Sequence, residues 1–524
     1  MIAAVAVLSM LAAAGPSDAE IRAVAALPGE PRIVSAAGVL KNDTPVLTLE
    51  NPDAFDTASA KRRVVIFAGA SSETASAAVI RMVRWFKTLA PQQLRDQWTL
   101  SALPAAGFDP GDGKSFARWM TFQAPDVAIE IVDGATPLIG SGGVDTFDRV
   151  IRLPASDDAL GSTLQAAKPG RSAVHEMVVA RVHRDPLAVA QLLAKRYPET
   201  PGISYIPAVA WVQSLRLADI TGDESLREKV RQQTLPWIAG DKPLLGDRVQ
   251  LTAVAGTMIF AELAGAGIQA GGAGRVSTAS ERDAAGVLAD QGAAAAAKEK
   301  TPAVPEYGQG WTDDMFMATA ILARTAMRPG RAGDLDTAVR LLTAYAGRLQ
   351  RPDGLFNHAL DGPAAWGRGN GFAALGLMEA LARMPASHPS RATLLDILRR
   401  QMAAVRAHQA PDGAIRQIID EPGAYREESA TAMLMSVMAR GVRMGWLDAS
   451  YGPAVQRAWR ALSAHVADDG TVVDVCASTG AGPTRRYYFD RPAVTGADDR
   501  GGAMALLAAL EMHELAKVWS SARR

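Results

Sequence analysis

The chain has one cysteine, Cys476, in 524 residues, which excludes an internal disulfide and any cysteine-rich metal site. It has no excess of either charge: 55 Lys and Arg balance 55 Asp and Glu, and no dense basic run breaks the balance, so no long-range field draws it to nucleic acid or to an anionic membrane. Aromatic residues are scarce, 6% against 48% hydrophobic, and alanine is abundant; closely packed helices fit that composition better than a sheet-rich fold. The first histidine is His175, so residues 1–174 offer no imidazole to a metal. Beyond the N-terminus no segment reaches transmembrane length.

What is present divides into three parts. Residues 1–19, "MIAAVAVLSMLAAAGPSDA", hold an apolar run too short to span a bilayer and then small residues suited to cleavage near Ala14 or Ala19. They are expected to be a signal peptide, with a periplasmic or secreted product that has no further dealings with a membrane; a buried helix is the alternative. Residues 20–175 alternate in type: "RRVVIFAGA" predicts a buried strand, "SAAVIRMVRWFKTL" an amphipathic helix and "PDVAIEIVDG" a second strand, the pattern of a smaller α/β domain. From 180 to 522 helix follows helix, punctuated by Gly, Pro and Asp.

The helical part repeats itself. "RPDGLFNH", "APDGAIRQ" and "ADDGTVVD" each place Asp-Gly after a helix, with glycines at 354, 413 and 470, and the helices opening near Asp313, Asn370 and Glu427 keep a spacing of 57. That period suits an outer helix, an inner helix and their loops. "DDMFMATAILARTAM", "NGFAALGLMEALARM" and "EESATAMLMSVMARGV" are apolar nearly all round and belong inside, whereas "LDTAVRLLTAYAGRLQ" and "RATLLDILRRQMAAVRAH" carry a charged face and belong outside. Roughly six such pairs follow Asp185, which predicts an α/α toroid. Its inner N-termini converge on a funnel that favours an anionic ligand, with Asp313, Arg368, Asn370, Glu427 and Arg500 near its wall.

Five blocks in order, "QGWTDDMFMA", "DGLFNH", "WGRGNGF", "YREESATAM" and "VCASTGAGPTRRYYFDRP", resemble the unsaturated rhamnogalacturonyl and unsaturated glucuronyl hydrolases over about residues 185–520. The resemblance implies a mainly α fold, an (α/α)6 barrel catalytic domain. It also implies removal of a Δ4,5-unsaturated uronic acid from the non-reducing end of lyase-generated oligosaccharides. On this reading Asp313, after Trp311, is the catalytic acid and base, protonating C4 of the enol ether while water adds at C5, with no metal or cofactor. That departs from the two-carboxylate glycosidase scheme. The adjacent Asp314 points about 100° away on a helix, so only one of the pair is expected to face the funnel; capping the helix is the other use of such a pair.

The same resemblance places Trp311, His358, Trp366, Arg368, Asn370, Phe372, Glu427 and Tyr488 around the sugar. Arg368 offers a planar fork for a carboxylate, or a salt bridge to an outer helix. Asn370 suits either substrate or the helix N-cap. Phe372 stands where the family usually has Trp, which keeps stacking and loses the indole donor. Glu427, in a block with Tyr425, suits the funnel wall better than chemistry, and Tyr487 and Tyr488 match a late tyrosine block. For a further acidic residue that the family carries earlier, Asp247 is the nearest candidate. "GAGIQAGGAGRVSTASERDAAGVLADQGAAAAAKEK" reads as a loop or an alanine-rich helix.

"VVIFAGASSETAS" with "SALPAAGFDP" and "PDVAIEIVDG" is similar to the zinc carboxypeptidase fold, but Ala70 replaces the first ligand and only Glu73 remains. A binding or packing module without metal is expected. Other functions stay open: an α/α-barrel sugar enzyme of different specificity, a glycan-binding barrel without turnover, and a structural helical repeat.

Overall fold

A computed structural model describes residues 18–522 except 41–42, 53–54, 58, 70–71, 105–112, 134–149, 157–158, 168–169, 267–277, 495 and 497. The start of the signal segment, Ala70, part of "SALPAAGFDP" and part of the low-complexity stretch lie outside the described residues. The chain forms two compact units, Met1–Val178 and Val179–Arg524.

In the first unit β1 (Ile33–Val39), β2 (Pro45–Glu50), β3 (Arg62–Ala68), β4 (Trp98–Leu103), β5 (Val127–Val132) and β6 (Val150–Pro154) form one sheet in the order β1-β2-β4-β3-β5-β6. β1, β2 and β4 pair antiparallel, while β4, β3, β5 and β6 are parallel. The unbroken apolar run of β3 reflects burial on both faces. Val64 and Ile66 pack toward the Glu73–Thr88 helix through Val79, Val83 and Phe86, and Val65 and Phe67 pack toward Phe116, Trp119 and Met120. The segments read as strand, helix and strand adopt those states. His175, at 2% exposure, is a packed residue: its Nδ1 lies 3.0 Å from Asp126, which also accepts the Arg63 and Ser172 backbone N–H groups.

The second unit contains, among the described residues, six helix pairs. The inner members are Tyr205–Thr221, Leu251–Gly256 with Met258–Ala261, Asp314–Met317 with Thr319–Thr325, Gly367–Arg383, Glu428–Arg443 and Asp499–Ala522. Each packs on the next, and the last packs on the first, so they close a ring. The outer partners are Pro186–Arg196, Glu224–Ile238, Ala279–Ala297, Gly333–Leu349, Arg391–Ala407 and Gly452–Ala464. The stretch left open between loop and alanine-rich helix is helical over Ala279–Ala297, with Thr278 and Glu281 forming a capping box. Gly354 and Gly413, in the repeated Asp-Gly turns, have φ of 100° and 97°. A Cβ there would lie 2.4 Å from the Arg400 carbonyl and 2.3 Å from that of Arg457, so both turns require glycine.

The ring is apolar in its middle and ionic toward the C-terminal ends of its helices. There Glu511 accepts from Arg216, Arg440 and Arg443, and Arg324 pairs with Glu262 and, at 2.9 Å, with Glu379. Burial alone would raise the Glu379 carboxyl, but Arg324 and Arg383 beside it hold it down at about 2. Guanidinium groups at helix C-termini also offset the partial negative charge of the last carbonyls.

Candidate active site

At the opposite end, the N-terminal residues of five of the six inner helices, all but Glu428–Arg443, surround a cavity of ≈ 460 Å³. Its wall includes Trp311, Asp313, Trp366, Arg368 and Phe372, and Arg500 as well, all adjacent to inner-helix starts. Asp314 lines it too, so the expectation that only one of the two aspartates reaches the funnel is corrected.

The two carboxyl groups have different surroundings. Asp313 is the N-cap residue of its helix but has helical φ and ψ and makes no side-chain cap hydrogen bond, so capping does not occupy its carboxyl. Its Oδ2 lies 3.1 Å from His358 Nε2, and its side chain is 16% exposed. Asp314 is 4% exposed and accepts from Tyr345 Oη at 2.5 Å and from the backbone N–H groups of Gly310 and Gln309 at 2.7 and 2.9 Å. It thereby holds the loop that presents Tyr307, Gln309 and Trp311 to the cavity. Burial pushes its carboxyl up to about 6; the three donors oppose this and the neighbouring Asp313 adds to it.

A folded carboxyl raised above its unfolded value of about 4 keeps its proton after the unfolded chain has released its own. Its stabilising contribution is complete below that value and is lost as pH rises through 6. Asp314→Asn is expected to gain roughly 2 kcal/mol on the wild type between pH 4.5 and 7.5. Urea unfolding across that range checks this, and a pH-independent difference would contradict it.

Arg368 is 3% exposed and faces the cavity with its guanidinium 5.1 Å from the Trp366 ring. Its Nη1 donates to the Cys476 carbonyl at 2.7 Å, so it is anchored by backbone rather than by an outer-helix carboxylate. Phe372 sets its ring edge-on to Tyr205 at 5.3 Å and near-parallel to Phe316 at 6.1 Å.

Four residues expected to touch substrate do not line the cavity. Asn370, fully buried inside the Gly367–Arg383 helix, accepts from Phe356 N and donates to the Phe356 and Trp366 carbonyls, so its amide is engaged within the protein and it is not the N-cap, which is Trp366. Glu427 is the N-cap of the next inner helix, and its carboxylate is used by the N–H groups of Ser429, Ala430 and Cys476 and the Ser429 hydroxyl. His358 is fully buried one layer behind Asp313, packed between Trp311 and Trp366 at 5.3 and 4.6 Å. Tyr488, also buried, stands behind His358, with Oη 2.9 Å from its Nδ1.

Asp247 is exposed and absent from the wall; Arg248 and Gln250 stand there instead, Gln250 as N-cap of the Leu251–Gly256 helix. Tyr205 and Gln250 were findable, because Tyr205 opens an inner helix and Gln250 precedes one as Asp313 does. Tyr345 was not, since it comes from an outer helix. Among the described residues, no group of three or more His, Cys, Asp or Glu has the geometry to hold a metal ion.

Residues 195–516 match the family described as Glycosyl Hydrolase Family 88. The chain is similar to Unsaturated rhamnogalacturonyl hydrolase YesR of Bacillus subtilis, 31% identical over 192 residues that make up 35% of this chain and 54% of that protein. It is 27% identical to Unsaturated 3S-rhamnoglycuronyl hydrolase of an Alteromonas species over 175 residues, 31% of this chain and 42% of the relative. The chain thus spans about half the length of the curated relatives it matches. A solved structure of a possible member of the GH105 family from Salmonella enterica has a TM-score of 0.55 at 19% identity, covering 64% of this chain and 94% of the other. A family 105 glycoside hydrolase of C. acetobutylicum gives 0.54 at 17% identity, covering 64% and 100%. At these identities the likeness is one of fold.

Proposed function

The chain belongs to Glycosyl Hydrolase Family 88 and is a glycoside hydrolase, and from that premise we propose that it removes a Δ4,5-unsaturated uronic acid from the non-reducing end of lyase-generated oligosaccharides. The helical unit is read as an (α/α)6 barrel, supported by its closed inner ring and by the solved structures it resembles. The observation that carries the function is the Asp313 carboxyl, which does not cap its helix, reaches an arginine- and aromatic-lined cavity and is oriented from behind by His358.

In the proposed reaction Asp313 donates its proton to C4 of the enol ether. The positive charge that develops at C5 and the ring oxygen is taken up by water, whose proton returns to Asp313. The resulting hemiketal opens and releases the linked sugar. Trp311, Trp366 and Phe372 supply apolar faces for the sugar ring. A uronyl–rhamnosyl linkage is the substrate class, supported by the rhamnose in the names of both relatives.

The test is incubation with lyase-generated unsaturated disaccharides. Ultraviolet absorbance should fall as the enol ether is consumed, and no fall with any such uronide would overturn the reading.

Arg368 supplies the fork for the uronate carboxylate. Arg368→Lys keeps the charge and loses the planar geometry, and should weaken binding by about 1–3 kcal/mol, read as a raised KM in a protein that still folds. An unchanged KM would leave Arg368 with its Cys476 anchor alone.

The sheet unit is proposed as a packing or binding module, with a degenerate carboxypeptidase-like fold supported by its mixed sheet. Export to the periplasm or beyond is proposed from the N-terminal segment. Among the described residues no helix is long and apolar enough to cross a membrane.

A further inference from the structure

We infer that Tyr488 and His358 form a fixed hydrogen-bond chain that decides which oxygen of Asp313 carries the acid proton. The inference rests on the role of Asp313 given above and adds a positioning function for two residues that do not reach the cavity.

The sense of the chain follows from counting donors. The backbone N–H of Gly482 donates to Tyr488 Oη at 3.2 Å. The phenol has one proton of its own, and its other near partner is His358 Nδ1 at 2.9 Å. Burial pushes the phenol up to about 12, so the proton stays in place at neutral pH. With the phenol proton directed at Nδ1, that nitrogen is the acceptor, and a neutral imidazole then carries its hydrogen on Nε2. Nε2 lies 3.1 Å from Asp313 Oδ2. Oδ2 therefore accepts, and when the carboxyl is protonated its hydrogen sits on Oδ1, which has no protein partner among the described residues.

The opposite tautomer has the opposite effect. If Nδ1–H donated to Tyr488, the bare Nε2 would draw the Asp313 proton onto Oδ2 and bury it against the imidazole. The ring has little freedom to find another arrangement. It is packed between Trp311 and Trp366, and its backbone carbonyl accepts the Thr312 N–H at 2.9 Å, next to Asp313 in sequence. Tyr488 thus acts on the reaction through His358, as a positioning residue.

The test pairs a spectroscopic readout with a double-variant comparison. In nitrogen-15 spectra of the full chain, His358 should show the Nε2–H tautomer, and Tyr488→Phe should abolish that preference. Tyr488→Phe should also lower kcat by ~10-fold with KM within about twofold, a fraction of the roughly 10²–10⁴-fold that a positioned proton transfer contributes. His358→Gln places an amide N–H donor close to the position of Nε2 and has no tautomer to set. In that background Tyr488→Phe should change kcat by less than about twofold.

Equal losses in both backgrounds, or an Nε2–H tautomer that persists without the phenol, would overturn the proposal. Should the assignment of Asp313 itself fail, turnover will survive Asp313→Asn while the tautomer measurement still reports on the chain.

Discussion

Asp313→Asn is expected to remove about a thousandfold or more of the turnover while leaving the fold in place. The amide is isosteric with the carboxyl and its oxygen can still accept from His358 Nε2, at the 3.1 Å seen for Oδ2. No helix cap is lost, because the Asp313 side chain makes none. What disappears is an exchangeable acid proton at the cavity, and with it both the donation to C4 and the return from water. Asp314 is no substitute: its carboxyl is engaged by Tyr345 and two backbone N–H groups. The checks are loss of absorbance decay on an unsaturated disaccharide, with an unfolding free energy within about 1 kcal/mol of wild type. A variant working near the wild-type rate would remove Asp313 from the mechanism, whatever its position in the cavity.

The parts of this site that were legible in the sequence are those fixed by the chain locally. Trp311, Asp313, Trp366, Arg368 and Phe372 sit at the starts of inner helices, and the 57-residue spacing of those helices shows which stretches are equivalent. The Asp-Gly turns mark the same period because Gly354 and Gly413 each sit against a backbone carbonyl that excludes a side chain. Side-chain direction was not legible. Asn370 and Glu427 occupy equivalent places near helix starts, yet one ties a neighbouring loop and the other caps its own helix. His358 and Tyr488 are 130 residues apart, and only the closed ring brings them into line behind Asp313. The second wall of the cavity was misplaced for a related reason. Asp247 suits the chemistry by residue type, but it falls short of the helix start, and Gln250 takes the N-terminal position instead.

The ionic end of the ring was hidden in another way, since the inner helices read as apolar and their charges beyond the first turns fall in their C-terminal halves. Those charges meet around Glu511, which is fully buried and receives Arg216, Arg440 and Arg443 from two neighbouring helices. The three guanidinium groups hold its carboxyl well below the usual range, although burial alone would raise it. Glu511→Gln removes the one anion they share and leaves three cations packed together with little water to screen them. Breaking a buried ion pair by deleting one partner typically costs about 3–5 kcal/mol, and like-charge repulsion puts this case toward the upper end. Urea unfolding should show that loss as a lower midpoint with an unchanged slope. Because the cavity lies at the other end of the inner helices, KM for the unsaturated sugar should stay within about twofold wherever the variant remains folded. Replacing Arg216 with Met in the same chain should recover part of the stability, since it removes one of the stranded charges. A stability loss under about 1 kcal/mol for Glu511→Gln would mean that the cluster is solvated and does not lock the ring.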